Sequence, residues 1–271
     1  MKRLYVFLLF FTFYSFVRTP YGQNFLASAP AALRIAEALH STEEERVIEI
    51  GPGQGALTVH LLPRCAALTV VELDHALADL LTRRWGHEPK LKVVSDDFMN
   101  WPFPAETDRP YKVIGNLPYS AAAAIVQKVL AWSGWDRAVF MVQKEVALRM
   151  TATPGGKAWG LLALSVQSRA KARRLFDVSP GAFRPPPQVD STVVELERLP
   201  TPRVTDLDAF FKIAHAAFGQ RRKTLANSLS HGLGMDRPAI ETLLKGLQIN
   251  PTRRAETLTI EEYDQISKKF T

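Results

Sequence analysis

The run Val47-Ile48-Glu49-Ile50, followed at once by Gly51-Pro52-Gly53-Gln54-Gly55, constrains this chain more than any other stretch. Four mostly apolar residues read as a buried strand, and a helical pattern from Ala56 to about Leu62 takes over beyond the glycines. A strand that empties through glycines into a helix lets the backbone approach a ligand closely, with N–H groups facing it. The spacing is G-x-G-x-G, which is not the G-x-G-x-x-G dinucleotide pattern. No G-K-[ST] follows, so a nucleotide-triphosphate loop is excluded.

Four more apolar runs repeat the theme, at Leu68 to Glu72, Leu91 to Val94, Tyr111 to Gly115 and Ala138 to Val142. Helical stretches at Ala76 to Arg84 and Ala121 to Leu130 lie between them, and another from about Pro30 to Leu39 comes before. Strand alternating with helix is the signature of a parallel, doubly wound α/β sheet. Beyond it the sequence predicts a flexible loop at Gly155-Gly156 and a helix from Trp159 to Ala170. A closing hairpin is predicted from the runs Leu175 to Val178 and Thr192 to Leu196, around a proline-rich turn. Thr201-Pro202 marks a linker, and the remainder reads as helices. The expected division is an apolar segment at 1–20, a Rossmann-like domain at 21–199 and a small all-helical domain at 200–271.

With 46% hydrophobic and 10% aromatic residues, 271 residues bury a full core, so disorder is not the default. Lys and Arg number 34 against 27 acids, a net charge of +7 that favours a polyanionic partner, nucleic acid or anionic membrane. The single cysteine, Cys65, excludes an internal disulfide and a cysteine-based zinc cluster, which fits a reducing compartment. His40, His60, His75, His87, His215 and His231 show no ligand spacing, so no metal is expected. Lys2-Arg3 ahead of the apolar run Leu4 to Val17 resembles the start of a secretory signal, but no small-x-small cleavage site follows. The run is short for a membrane span, which needs about 20 apolar residues. Three readings stay open: a targeting or anchoring segment, residues added by an upstream start, or an apolar strand on the body. A cytoplasmic location is the expectation, with an anchored or organellar form as the alternative.

The turn Asn116-Leu117-Pro118-Tyr119 joins a predicted strand to a predicted helix, at the sheet edge where such folds bind ligands. The Asn116 amide oxygen can accept one N–H of a planar exocyclic amine, and the Leu117 or Pro118 carbonyl can accept the other. Pro118 stiffens the turn, and the Tyr119 ring offers a stacking face to a nucleobase. An isolated turn of this kind reads equally as a helix-capping Asn beside a core Tyr. Glu72 ends the second strand, where a carboxylate can accept from both ribose hydroxyls, and Asp97 follows the third, placed to accept from an adenine amine. Each acid also reads as a solvated strand end. On the loop and Glu72 alone, NAD and S-adenosylmethionine fit equally.

Taken in order, the loop, Glu72, Asp97 and the Asn116 turn resemble an S-adenosylmethionine-dependent adenine-N-methyltransferase. More closely, residues from Tyr21 to about Leu229 resemble the KsgA-type small-subunit ribosomal RNA adenine dimethyltransferases, relatives of the Erm resistance methyltransferases and of mitochondrial transcription factor B. The resemblance implies a Rossmann-like methyltransferase sheet. It implies cofactor contacts at Gln23, Asn24, Leu26, Gly51, Gly53, Glu72, Asp97 and Asn116. Phe183-Arg184-Pro185-Pro186-Pro187 resembles the family's proline-rich motif, which implies that Phe183 and Tyr119 sandwich the target adenine. Gln220-Arg221-Arg222-Lys223-Thr224-Leu225 resembles the family's basic helix start. With Arg173 and Arg174 of the run Arg169 to Arg174, it supplies the RNA-binding candidates Arg221, Arg222 and Lys223; Arg253-Arg254 stand behind them. The chain departs from the family in the small residues Ser120 to Ala124 and in its apolar N-terminus.

The activity implied is dimethylation of two adjacent adenines in a small-subunit RNA loop, by a monomer acting on immature subunits without a stable protein partner. The competing readings are an Erm-like enzyme of large-subunit RNA and an assembly or transcription factor in which methylation is secondary. A NAD oxidoreductase is remote, because no residue handles a hydride.

Overall fold

The computed structural model describes residues 24–105, 109–220 and 222–270. The apolar run at 4–17, Tyr21, Gly22, Gln23 and Arg221 therefore lie outside the described residues. A two-residue strand, β1 (Phe25–Leu26), leads into α1 (Ala29–Ala38). Ser28 caps α1 by accepting from Ala31 N–H, and Pro30 occupies its first turn. The alternation then runs β2 (Arg46–Ile50), α2 (Thr58–Leu61), β3 (Ala67–Glu72), α3 (His75–Trp85), β4 (Leu91–Ser95), β5 (Tyr111–Asn116), α4 (Ala122–Ala131), β6 (Trp135–Gln143), α5 (Lys144–Met150) and α6 (Leu161–Gln167). After it come β7 (Ala170–Val178), β8 (Phe183–Arg184) and β9 (Ser191–Arg198), then α7 (Leu207–Phe218), α8 (Leu225–Leu233), α9 (Arg237–Gly246) and α10 (Ile260–Ser267).

Seven strands form one sheet in the order β4-β3-β2-β5-β6-β9-β7, the first five parallel and the last two antiparallel. The parallel strands are apolar on both faces because helices cover both. One core holds Ile48, Val113, Val126 and Phe140; the other holds Ile35, Leu61, Val70 and Val139. The order reverses between β2 and β5, and a crevice opens beyond their carboxyl ends at such a point. The glycine loop follows β2 and the Asn116 turn follows β5, so chain order alone brings both to that crevice.

The fold is the expected α/β sheet with a C-terminal helical region, and three local expectations change. The Gly155-Gly156 segment is docked, since Gly155 N–H donates to Glu256 O at 2.7 Å. Trp159, beside it, is buried and donates Nε1–H to Leu258 O at 2.9 Å. Trp159 and Leu164 thus share a core with Phe210, Ile213, Leu229 and Tyr263, and the helical region packs on α6 rather than hanging from a linker. The helix predicted to Ala170 stops at Gln167, and β7 begins at Ala170.

That early start absorbs the basic run. In a strand, successive side chains alternate between faces, and the neighbour β9 offers acids. Arg173 pairs with the buried Glu195, which also holds Arg137, while Lys171 faces Glu197 at 3.9 Å and Arg169 lies over the Phe211 ring. Arg169 to Arg174 is therefore not one continuous patch of free cations.

Candidate active site

The glycine loop leaves β2 through three residues with positive φ, Gly51 at 62°, Gly53 at 58° and Gly55 at 83°. A Cβ at Gly55 would stand 2.3 Å from the Trp85 ring, whereas one at Gly51 would meet nothing within 4 Å. Gly51 therefore opens onto free space, where a ligand can approach the backbone. Its N–H does not face a ligand, contrary to expectation. Gly51 N–H donates to Val71 O at 2.9 Å, and Gly53 N–H donates to Glu72 Oε2 at 2.9 Å. Gly55 N–H is spent as well, on Pro52 O at 2.9 Å, so the three glycines offer close approach rather than donors.

Glu72 is 2% exposed, and its second oxygen accepts from Asp74 N–H at 3.0 Å. Burial raises its pKa, while the N–H groups of Asp74 and Gly53 pull it back. Each oxygen keeps a lone pair, so the carboxylate is fixed in place with capacity for two hydroxyl donors. Glu49 lies beside it on β2, 1% exposed, accepting from Thr58 Oγ1 at 2.7 Å. Burial, reinforced by the nearby Glu72, raises Glu49 from 4.5 to about 8 against the Thr58 hydrogen bond. Asp97 follows β4; one carboxyl oxygen accepts from Met99 N–H at 2.8 Å, which turns the chain back, and the other meets no donor among the described residues.

The Asn116 turn closes the other side of the crevice. Asn116 Nδ2–H donates to the Asn24 carbonyl at 3.3 Å, which engages one of the two amide N–H groups, and no donor among the described residues reaches Oδ1. Pro118 O accepts from Ala121 N–H at 3.0 Å, holding the turn onto α4. No intramolecular donor reaches the Leu117 carbonyl among the described residues, so it becomes the better of the two candidate acceptors. The Tyr119 hydroxyl and Ser191 Oγ share a hydrogen bond at 2.9 Å, and the half-buried ring remains at the cavity wall.

These groups line one cavity of about 480 Å³, within the range of small-molecule sites. Asn24, Leu26, Gly51, Gly53, Glu72, Asp97, Asn116, Leu117, Pro118 and Tyr119 all border it. Phe183 does not. Its ring is fully buried among Leu26, Ile35, Met141 and Val193, because β8 pairs with β1 in the register Phe183 with Leu26. The expected sandwich of Tyr119 and Phe183 around a base is absent from this conformation. Arg222 and Lys223 are exposed ahead of α8, outside the cavity lining. Among the described residues no group of three or more His, Cys, Asp or Glu could hold a metal ion. Sequence reasoning missed Glu49 as a wall residue, although an acid inside an apolar strand was its signal; for Phe98 and Met99 no local pattern gave one.

The residues fit a nucleoside-bearing cation. An opening at Gly51, a fixed carboxylate at Glu72, a second buried acid at Glu49 and an open acceptor at Asp97 suit the methionine, ribose and adenine parts of S-adenosylmethionine.

Comparison with known proteins agrees. Residues 15–271 match the family model described as ribosomal RNA adenine dimethylase. The ribosomal RNA small subunit methyltransferase A of Syntrophotalea carbinolica is 44% identical, over 92% of this chain and 94% of its own. A dimethyladenosine transferase from Plasmodium falciparum superposes with a TM-score of 0.80 at 23% identity, over 90% of this chain and 96% of that one. The 23S rRNA methyltransferase ErmE gives 0.72 at 25% identity, over 91% and 99%.

Proposed function

The chain belongs to the ribosomal RNA adenine dimethylase family, and from that premise we propose that it dimethylates the exocyclic amines of two adjacent adenines in a small-subunit ribosomal RNA loop. The observation that carries the reading is the Asn116 amide, whose nitrogen is tied to Asn24 and whose oxygen meets no donor among the described residues, in the cavity that holds Glu72 and Asp97.

S-adenosylmethionine, when bound, supplies an electrophilic methyl group. Glu72 holds its ribose, Asp97 its adenine amine, and the wall from Asn24 to Leu26 with Gly51 its methionine end. Asn116 Oδ1 and the Leu117 carbonyl accept the two N–H bonds of the target amine. That pulls its lone pair out of the ring and aims it, so positioning carries most of the rate. The nitrogen becomes acidic only once methylated, and its proton then passes to water without a tuned base. The second methylation needs the amine to return with one N–H fewer, and Asn116 or Leu117 then gives up its partner.

A base stacked in a helix is out of reach, so the target is splayed from a loop. Tyr119 gives it one stacking face. Residues 21–199 form the catalytic domain in this reading, and residues 200–271 form the RNA-binding one. Arg222, Lys223 and Arg174 supply phosphate contacts together with Arg221; Arg173, held by Glu195, contributes less. The enzyme works as a cytoplasmic monomer on immature small subunits.

Mapping N6,N6-dimethyladenine in ribosomal RNA from cells with and without the gene is the test. Two adjacent modified adenines in small-subunit RNA, lost with the gene, are the expected result. A mark on large-subunit RNA instead would establish the Erm-like reading. Full rescue of subunit maturation by a methylation-dead chain would make methylation secondary to assembly.

A further inference from the structure

The segment 97–101 carries Asp97, Phe98 and Met99 into the cavity without belonging to any strand or helix. It is held from within by the Asp97 side chain, and by Asp97 O, which accepts from Asn100 and Trp101 N–H. It is held from outside by one cation. Lys128 Nζ donates to Phe98 O at 2.6 Å, Met99 O at 2.9 Å and Trp101 O at 2.7 Å. No backbone N–H among the described residues donates to any of those three carbonyls. An ammonium has three N–H donors, and here each has its own acceptor.

The ammonium of Lys128 also lies over two aromatic rings. Nζ lies 5.2 Å from the Phe98 ring centroid and 5.3 Å from that of Phe103, and Phe103 stacks on Trp132 at 4.3 Å. Burial lowers the Lys128 pKa, opposed by Asp97 and Asp96. Lys128 sits on α4, the helix that starts directly beyond the Asn116 turn. One rigid helix therefore joins the target side of the cavity to the loop on its cofactor side.

We propose that Lys128 is a positioning residue for the cofactor, acting through the three carbonyls to hold Asp97 and Phe98 in the shape that receives an adenosyl group. The assignment deepens the methyltransferase reading and rests on it. Without the ammonium, three carbonyl oxygens converge on nothing and turn away to reach water. The loop then has several conformations, and cofactor binding must select one.

The test is calorimetric titration of S-adenosylmethionine into the full-length protein and its Lys128→Met variant, which keeps an unbranched apolar side chain and removes the ammonium. Affinity is expected to fall about tenfold, while kcat at saturating cofactor stays within about threefold. Lys128→Arg is expected to recover part of the loss, because its planar fork satisfies two carbonyls rather than three. A purely structural role would lower the melting temperature and leave the affinity of the folded protein alone. If Lys128→Met does not fold, Lys128→Gln, with two N–H donors on a shorter stem, is read in the same way. Affinity of the folded variant within about twofold of wild type overturns the assignment. Wild-type protein that fails to bind the cofactor would instead bring down the methyltransferase reading itself.

Discussion

The two ends of the cavity accept hydrogen bonds by opposite means. At the β2–β3 end the acceptors are carboxyls, Glu72 and Glu49, buried to 2% and 1% exposure and fixed by backbone N–H groups or by Thr58. At the β5 end they are neutral, an amide oxygen and a carbonyl. The difference follows from what each end must do. A cation with two hydroxyls is held best by negative charge at Glu72, joined by Glu49 only where it gives up the proton that burial makes it keep towards pH 8. An amine that must keep its lone pair free needs its N–H groups engaged without being protonated, and neutral acceptors do this.

The largest effect is expected from Asn116→Ala, which removes the neutral end while leaving the acids. Methyl transfer should fall by about 10²–10³-fold with cofactor affinity nearly unchanged, measured by label transfer beside calorimetry. A matching loss of affinity would mean the two ends are not separable. Next is Glu72→Gln, which makes the charged end neutral. Cofactor affinity should fall by about tenfold or more, since a charge-assisted acceptor becomes an ordinary one.

A smaller effect concerns pH. Glu49 is raised from 4.5 to about 8 in the folded chain, so between those values the unfolded chain ionises while the folded one holds its proton. The stability this group contributes is complete below 4.5 and is lost as pH rises towards 8. Glu49→Gln should remove that slope from melting temperatures measured across the window. A bound sulfonium favours the ionised acid, so cofactor affinity should climb over the same range in wild type and less in Glu49→Gln. The smallest change is expected from Tyr119→Phe, which loses the hydrogen bond to Ser191. Stability should drop by about 0.5–1.5 kcal/mol in denaturant titration, with kcat reduced only a few-fold.

Most of the sheet was legible because buried parallel strands and their helices leave long, unambiguous patterns. The glycine loop shows what local pattern omits: three glycines announce close approach, yet their N–H groups are spent on Val71, Glu72 and Pro52 rather than on a ligand. The basic run Arg169 to Arg174 shows the same limit. Its charge was plain, but its strand conformation and the acids of β9 opposite it depend on pairing across 20 residues or more.

The order of strands, loops and acids along the chain was enough to fix a doubly wound sheet and to bring Gly51, Glu72, Asp97 and Asn116 to one edge, since all follow the carboxyl ends of neighbouring strands. Folding alone decided how those side chains are aimed. Asn116 takes its orientation from a carbonyl 92 residues away, Phe183 is drawn into the core by its register with Leu26, and Glu49 keeps its proton through burial. Periodicity is a local property of backbone and apolar surface, whereas orientation and protonation are set by partners that only the tertiary fold brings near.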